Sequence, residues 1–149
     1  MSKIVVEASD VIPAPADKIY AVLADYHEGH PAILPQPYFH ELVVEEGGRG
    51  AGTVIRVRME VLGAEQRYRL HVSEPEPGRV LIERDPDLDV ATTFTVAPLN
   101  GGSRSLVTIA TESRPSPGLR GLLERIVNPP VTRRIYKEEL KNLAAYVAR

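Results

Sequence analysis

His27 and His30 stand three residues apart with Glu28 between them, and two imidazoles with a carboxylate are a donor set that zinc accepts. The HExxH arrangement is absent and His40 is the only further histidine nearby, so a surface loop accounts for the pair and no metal is expected. The run Gly47-Gly48-Arg49-Gly50-Ala51-Gly52 has the composition of a phosphate loop. It joins two strand-like segments and precedes no helical pattern, so a hairpin turn is the reading. No GxSxG elbow is present, and the absence of cysteine removes thiolate ligands, thiol nucleophiles and disulfides together. What remains is acid–base chemistry by isolated polar groups: Asp10, His40, Tyr68 and Arg84 each fall at positions that read as inward-facing once the strands are laid out.

The elements that position them follow from periodicity. Ile4 to Ile12 alternates, with Ile4, Val6, Ala8 and Ile12 on the inner parity, and Asp10 falls on that side too. Pro13-Ala14-Pro15 ends the strand, and a helix to about Tyr26 follows with Ile19, Val22, Leu23 and Tyr26 as its apolar stripe. His27 to Pro37 has room for at most one turn of helix. From Tyr38 to Thr111 the period is two, which predicts six antiparallel strands separated by glycine, proline and Asn-Gly punctuation.

One register scheme threads these hairpins. A turn at Gly63-Ala64 sets Met59 opposite Tyr68 and Val57 opposite Leu70, with Glu60 opposite Arg67 on the other face. Continuing sets Leu70 opposite Ile82, Arg69 opposite Glu83, Ile82 opposite Thr92, and Phe94 opposite Val107. It predicts that Tyr68, Leu70, Ile82, Phe94 and Ile109 point inward, while Arg69, Glu83 and Thr93 point out, and it leaves Arg58, Arg69 and Glu83 as an exposed charge ladder.

After the strands, Tyr136, Leu140, Leu143 and Val147 form one stripe of a C-terminal helix, with Arg133, Lys137, Glu138 and Lys141 on its other faces. Pro129-Pro130 predicts a kink or break, with Asn128 capping the second piece. This helix is the lid of the sheet, and the space between them is the expected pocket.

The 18 basic and 20 acidic residues of the 149 nearly cancel, which argues against a nucleic-acid partner. No apolar run is long enough for stable membrane insertion. The chain reads as one domain over residues 1–149, and its lack of cysteine fits a cytoplasmic address.

The stretch Ile12-Pro13-Ala14-Pro15-Ala16-Asp17-Lys18-Ile19-Tyr20-Ala21-Val22-Leu23-Ala24-Asp25, with the hairpins Gly50-Ala51-Gly52-Thr53 and Glu74-Pro75-Glu76-Pro77-Gly78-Arg79, resembles the START-related helix-grip superfamily, in its polyketide cyclase/dehydrase-like branch. The resemblance implies an α+β helix-grip fold: a curved antiparallel sheet of about seven strands around a long C-terminal helix, with a shorter helix after the first strand. The loop Tyr26-His27-Glu28-Gly29-His30-Pro31 departs from the tryptophan-rich loop common in that superfamily, and the chain has no tryptophan.

Residues and resemblance together lead to a module that binds or carries a small hydrophobic molecule without a cofactor. Its expected lining is Tyr38, His40, Ile55, Val57, Met59, Tyr68, Arg84, Thr92, Phe94 and Tyr136. Two rivals stand beside it. One is a cyclase or dehydratase-like enzyme in which Asp10, His40, Tyr68 or Arg84 polarises a carbonyl or moves a proton. The other is an interaction protein with a packed core, hinted at by Arg56, Arg58, Arg67 and Arg69.

Overall fold

The structure is a computed structural model that describes residues 3–115 and 117–149, with the side chains of residues 119, 120, 122, 123 and 125–128 left out. Strand β1 (Ile4–Ile12) leads through helices α1 (Ala16–Ala24) and α2 (Gly29–Ile33) to six strands: β2 (Phe39–Glu46), β3 (Val54–Val61), β4 (Ala64–Glu76), β5 (Val80–Asp85), β6 (Val90–Leu99) and β7 (Arg104–Ser113). Helix α3 (Leu119–Val147) ends the chain. The strands form one antiparallel sheet in the order β1-β7-β6-β5-β4-β3-β2, so β1 and β2 are its two edges and the α1–α2 segment crosses from one to the other. This is the helix-grip order.

Alternation builds β1 as expected: Ile4, Val6, Ala8 and Ile12 are buried. Asp10 breaks the pattern. It is exposed, and its carboxylate accepts the N–H of Val11 at 2.8 Å, so it is no pocket acid.

Two hairpins, β3–β4 and β6–β7, keep the inner face that periodicity predicts, although their pairing differs. The β3–β4 turn is Leu62-Gly63, both with positive φ (52° and 80°), the pair of left-handed residues a tight two-residue hairpin needs. Met59 therefore pairs with Gln66, Val57 with Tyr68, Ile55 with Leu70 and Glu60 with Glu65. The slip is two residues and leaves every side chain on its face. The β6–β7 hairpin slips by two as well, pairing Phe94 with Ile109 and Thr92 with Thr111.

The β4–β5 hairpin behaves differently. A bulge between Ser73 and Glu76 contains Pro75, which has no N–H to give the ladder, and it makes the slip odd: Val72 pairs with Glu83 and Ser73 with Ile82. Leu81 and Glu83 are buried and Arg84 is exposed, the reverse of the predicted parity. The charge ladder loses Glu83 as a result. Instead Glu45 bridges Arg56 at 2.7 Å and Arg69 at 2.8 Å, while Arg58 lies near Glu41 and Glu65.

Helix α3 runs through Pro129 and Pro130 as a single helix, so of the expected kink or break the break is absent. Proline's fixed φ is itself helical, and the cost is two missing N–H donors. The proposed Asn128 cap falls on a side chain outside the described ones. The helix is tied down where Arg133 donates to the Glu7 carbonyl (3.3 Å) and Asn142 to the Ile33 carbonyl (3.1 Å). Ile135, Leu140, Leu143 and Val147 are buried against the core, each worth about 1.5–3 kcal/mol of burial. Among the described residues no helix is long and apolar enough to cross a membrane.

Candidate functional site

The concave face of the sheet divides into a sealed half and an open half. On the sealed side Leu81, Phe94, Val96, Val107 and Ile109 are at most 2% exposed. On the other side, inward residues of β2, β3 and β4 are mixed: Leu42, Val44, Met59, Tyr68 and Leu70 stay partly exposed, while Ile55, Val57 and Val72 are buried. Helix α3 packs its backbone closely on β1, α1 and α2, and α1 packs on β6.

A polar cluster lies inside the sealed half. Tyr26 and His30 stack at 4.6 Å between ring centroids, and His30 meets Phe94 edge-on at 5.3 Å. Nδ1 of His30 lies 2.7 Å from the Leu23 carbonyl, which can only accept, so Nδ1 carries a proton and Nε2 faces Glu83 Oε2 at 3.4 Å. The Tyr26 hydroxyl donates to the same Oε2 at 2.6 Å. Burial, reinforced by Glu83, pushes the Tyr26 phenol well up, which keeps it a donor.

Glu139 of α3 completes the cluster. It is 2% exposed, and its Oε2 has no hydrogen-bond partner among the described residues. Burial and then the Glu83 carboxylate raise its pKa well above the ordinary carboxylate range, so it holds a proton where an exposed glutamate has lost it.

One turn back on the same helix, Tyr136 shares a hydrogen bond with Thr111 Oγ1, which lies 2.7 Å from Thr92 Oγ1. Burial raises the Tyr136 phenol, and it raises Tyr68 as well with a contribution from Asp85. The inner face thus carries two polar patches, Tyr26, His30, Glu83 and Glu139 in one and Thr92, Thr111 and Tyr136 in the other, with Tyr136 and Tyr68 half-buried.

Local sequence explains why Tyr26 and His30 stand where they do. Asp25 ends α1 and its carboxylate accepts the N–H groups of His27 and Glu28, turning the chain so that the His30 N–H reaches the Asp25 carbonyl at 2.8 Å. Gly29 is required by contact: a Cβ there would stand 2.6 Å from the Val22 carbonyl oxygen. The glycine run then clamps this corner. The Gly48 carbonyl accepts from Tyr26 N and the Ala24 carbonyl accepts from Gly50 N, both at 2.9 Å. At Gly50 φ is +59°, and a Cβ would meet Glu74 Oε1 at 2.1 Å. Glu74 in turn accepts from Tyr20 O–H and Ala51 N–H. The run is a structural clasp, with its N–H groups turned to the protein.

Of the ten expected lining residues, Ile55, Val57 and Phe94 are buried on the inner face, and Met59, Tyr68, Thr92 and Tyr136 lie on it half-buried. Tyr38, just before β2, packs half-buried against the core. Two are misplaced. His40 is exposed beside Glu60 (3.7 Å) because a bulge between Phe39 and Glu41 interrupts the alternation of β2. Arg84 is exposed and pairs with Asp89 at 3.4 Å, a consequence of the flipped β5. His27 is exposed while His30 is interior, and among the described residues no three acidic or histidine side chains form a metal-binding group. A cavity of about 320 Å³ at the β2–β4 side is lined by Val57, Tyr68 and Asp85 together with Arg56, Arg58, Arg67 and Arg69.

Residues 3–148 match the family described as polyketide cyclase / dehydrase and lipid transport. The KanY protein, solved in solution by NMR, is 28% identical over 100% of both chains with a TM-score of 0.86. The protein TTHA0849 from Thermus thermophilus is 22% identical over 97% of each chain with a TM-score of 0.79. The Zhui aromatase/cyclase from Streptomyces sp. R1128 is 19% identical, over 99% of this chain and 94% of its own, with a TM-score of 0.76. No curated protein matches the sequence.

Proposed function

The chain belongs to the polyketide cyclase/dehydrase and lipid-transport family, and from that premise we propose that it binds a small, largely apolar molecule in the groove between α3 and the β2–β4 side of the sheet. The observation that carries this reading is the split of one inner face: Leu42, Val44, Met59, Tyr68 and Leu70 stay partly uncovered while their neighbours on β5–β7 are sealed. A concave apolar surface with a few polar groups at its edge is what a small-molecule site requires. The test is thermal. A ligand that binds only the folded state raises the melting temperature with occupancy, so 2-ethylnaphthalene should shift the transition in a saturable way. A melting temperature that ignores the probe overturns the reading.

A second reading, a cyclase or dehydratase-like enzyme, is favoured by the Tyr26–His30–Glu83 cluster and the protonated carboxyl of Glu139. A neutral acid beside an anionic one is the pairing that moves protons at neutral pH.

A further inference from the structure

We propose that the outer face of β5, β6, β7 and β1 is the contact surface of a weak homodimer, with a second copy of this chain packed on it so that the two β7 strands run antiparallel. This face is on the side of the sheet opposite the groove, and the proposal is independent of what the groove binds.

Strand pairing lays the face out in rows. Val80, Thr95, Thr108 and Ser9 stand abreast across the four strands. The row beside them is Ile82, Thr93 and Ala110, ending in Glu7 on the edge strand. On the other side Ala97 adjoins Leu106, which pairs with Val11. Val11 and Leu106 are among the exposed large hydrophobics, and Glu7 is the single ionisable residue in the three rows. The flipped β5 enlarges this patch, because the bulge that brings Glu83 inside sends Val80 and Ile82 out. In a chain whose residues are 26% charged, an uncharged stretch of sheet rimmed by charges has the character of a contact surface. Its central side chains are small, which lets two outwardly curved sheets approach closely.

Charge at the rim specifies the occupant. On this face β7 carries Arg104 at one end and Glu112 at the other, a separation of about 27 Å along a strand. Among the described residues the side chains of Arg104, Glu112 and Glu7 form no ion pair or hydrogen bond. The β2–β4 side differs, since Glu45 holds Arg56 and Arg69 and Glu65 holds Arg67. A second copy related by a two-fold axis that crosses the strands at Thr108 sets Arg104 of each copy against Glu112 of the other, with Glu7 diagonal to the pair. A two-fold axis along the strands would set Arg104 on Arg104, so charge selects the antiparallel arrangement.

Area sets the strength. Four strands about 4.8 Å apart over that length cover about 500 Å² per copy, or about 1,000 Å² in total, the lower limit for a specific interface. The dissociation constant that follows is on the order of tens of micromolar.

Sedimentation velocity of the full chain, from about 5 to about 500 µM, tests this. The wild type should pass from monomer to dimer within that range, with the midpoint moving to higher concentration as salt is added. Thr108→Lys sets two ammonium groups together on the axis and should hold the chain monomeric throughout. Arg104→Glu and Glu112→Arg should each weaken the dimer by about threefold to tenfold, and combining them should restore it. A wild type that stays monomeric leaves the face to another occupant and overturns the proposal. A dimer that ignores Thr108→Lys, or a charge swap no better than its single variants, overturns it as well. Arg104 and Glu112 are exposed, so the wild-type series and the charge swap decide the outcome even where the lysine variant does not fold.

Discussion

At the scale of single residues, the interior is defined by one hydroxyl and two carboxyls. Tyr26→Phe removes the 2.6 Å donor to Glu83 and strands a buried charge, so it should lower stability by about 1.5–3 kcal/mol in urea titrations. Glu139 sets a pH dependence whose sign follows from linkage. Its folded pKa lies above the ordinary value of 4.5, so the native state binds more protons than the unfolded state over that interval. Its contribution is therefore fully present below about 4.5 and is lost as the pH climbs toward the folded pKa. Glu139→Gln should match or exceed the wild type in urea midpoint near pH 8, and lose that advantage near pH 4. Both residues left traces in the sequence. Ile19, Leu23, Tyr26 and His30 continue one stripe at intervals of four, three and four, and Ile135, Glu139, Leu143 and Val147 form a row at intervals of four. An acid or imidazole set in an otherwise apolar row is the signal. Reading His30 as loop solubility hid it, because α1 ends before His30 and the stripe resumes in α2.

At the scale of elements, the corner where α1 meets α2 is fixed by close approach. Gly29→Ala places a Cβ against backbone that cannot yield cheaply, and should cost about 1–3 kcal/mol by thermal denaturation while disturbing the near-ultraviolet signal of Tyr26. The strands were legible as a set. Count, order and the inner parity of β3, β4, β6 and β7 follow from a period of two, and even slips in pairing leave that parity intact. What periodicity alone does not reveal is an odd insertion. The bulge at Glu74-Pro75 turned β5 over, sending Arg84 to solvent and bringing Glu83 inside, and the bulge after Phe39 exposed His40. Pro75 was the visible warning, since a proline within a strand marks an edge or a bulge. In the same way, Pro129-Pro130 predicted a kink or break, and α3, packed on β1 and α2, stays continuous through the pair.

At the scale of the whole molecule, the lid covers half of what the sheet offers. Met59→Trp should fill the uncovered half, weakening 2-ethylnaphthalene at least tenfold in fluorescence titrations while the melting temperature of the free protein holds, because Met59 is only half-buried. A variant that binds the probe unchanged places the ligand elsewhere. The same partition bears on how such a scaffold changes over generations. Leu81, Phe94 and Ile109 are sealed in the core, whereas Leu42, Val44, Met59 and Tyr68 stay partly uncovered and, on the binding reading proposed above, are the ones a ligand would meet. Substitutions at the second set alter taste without spending much stability, and those at the first set do the opposite. Drift and selection can therefore work on separate positions, so a descendant of this chain can acquire a new ligand without first having to be rescued from unfolding.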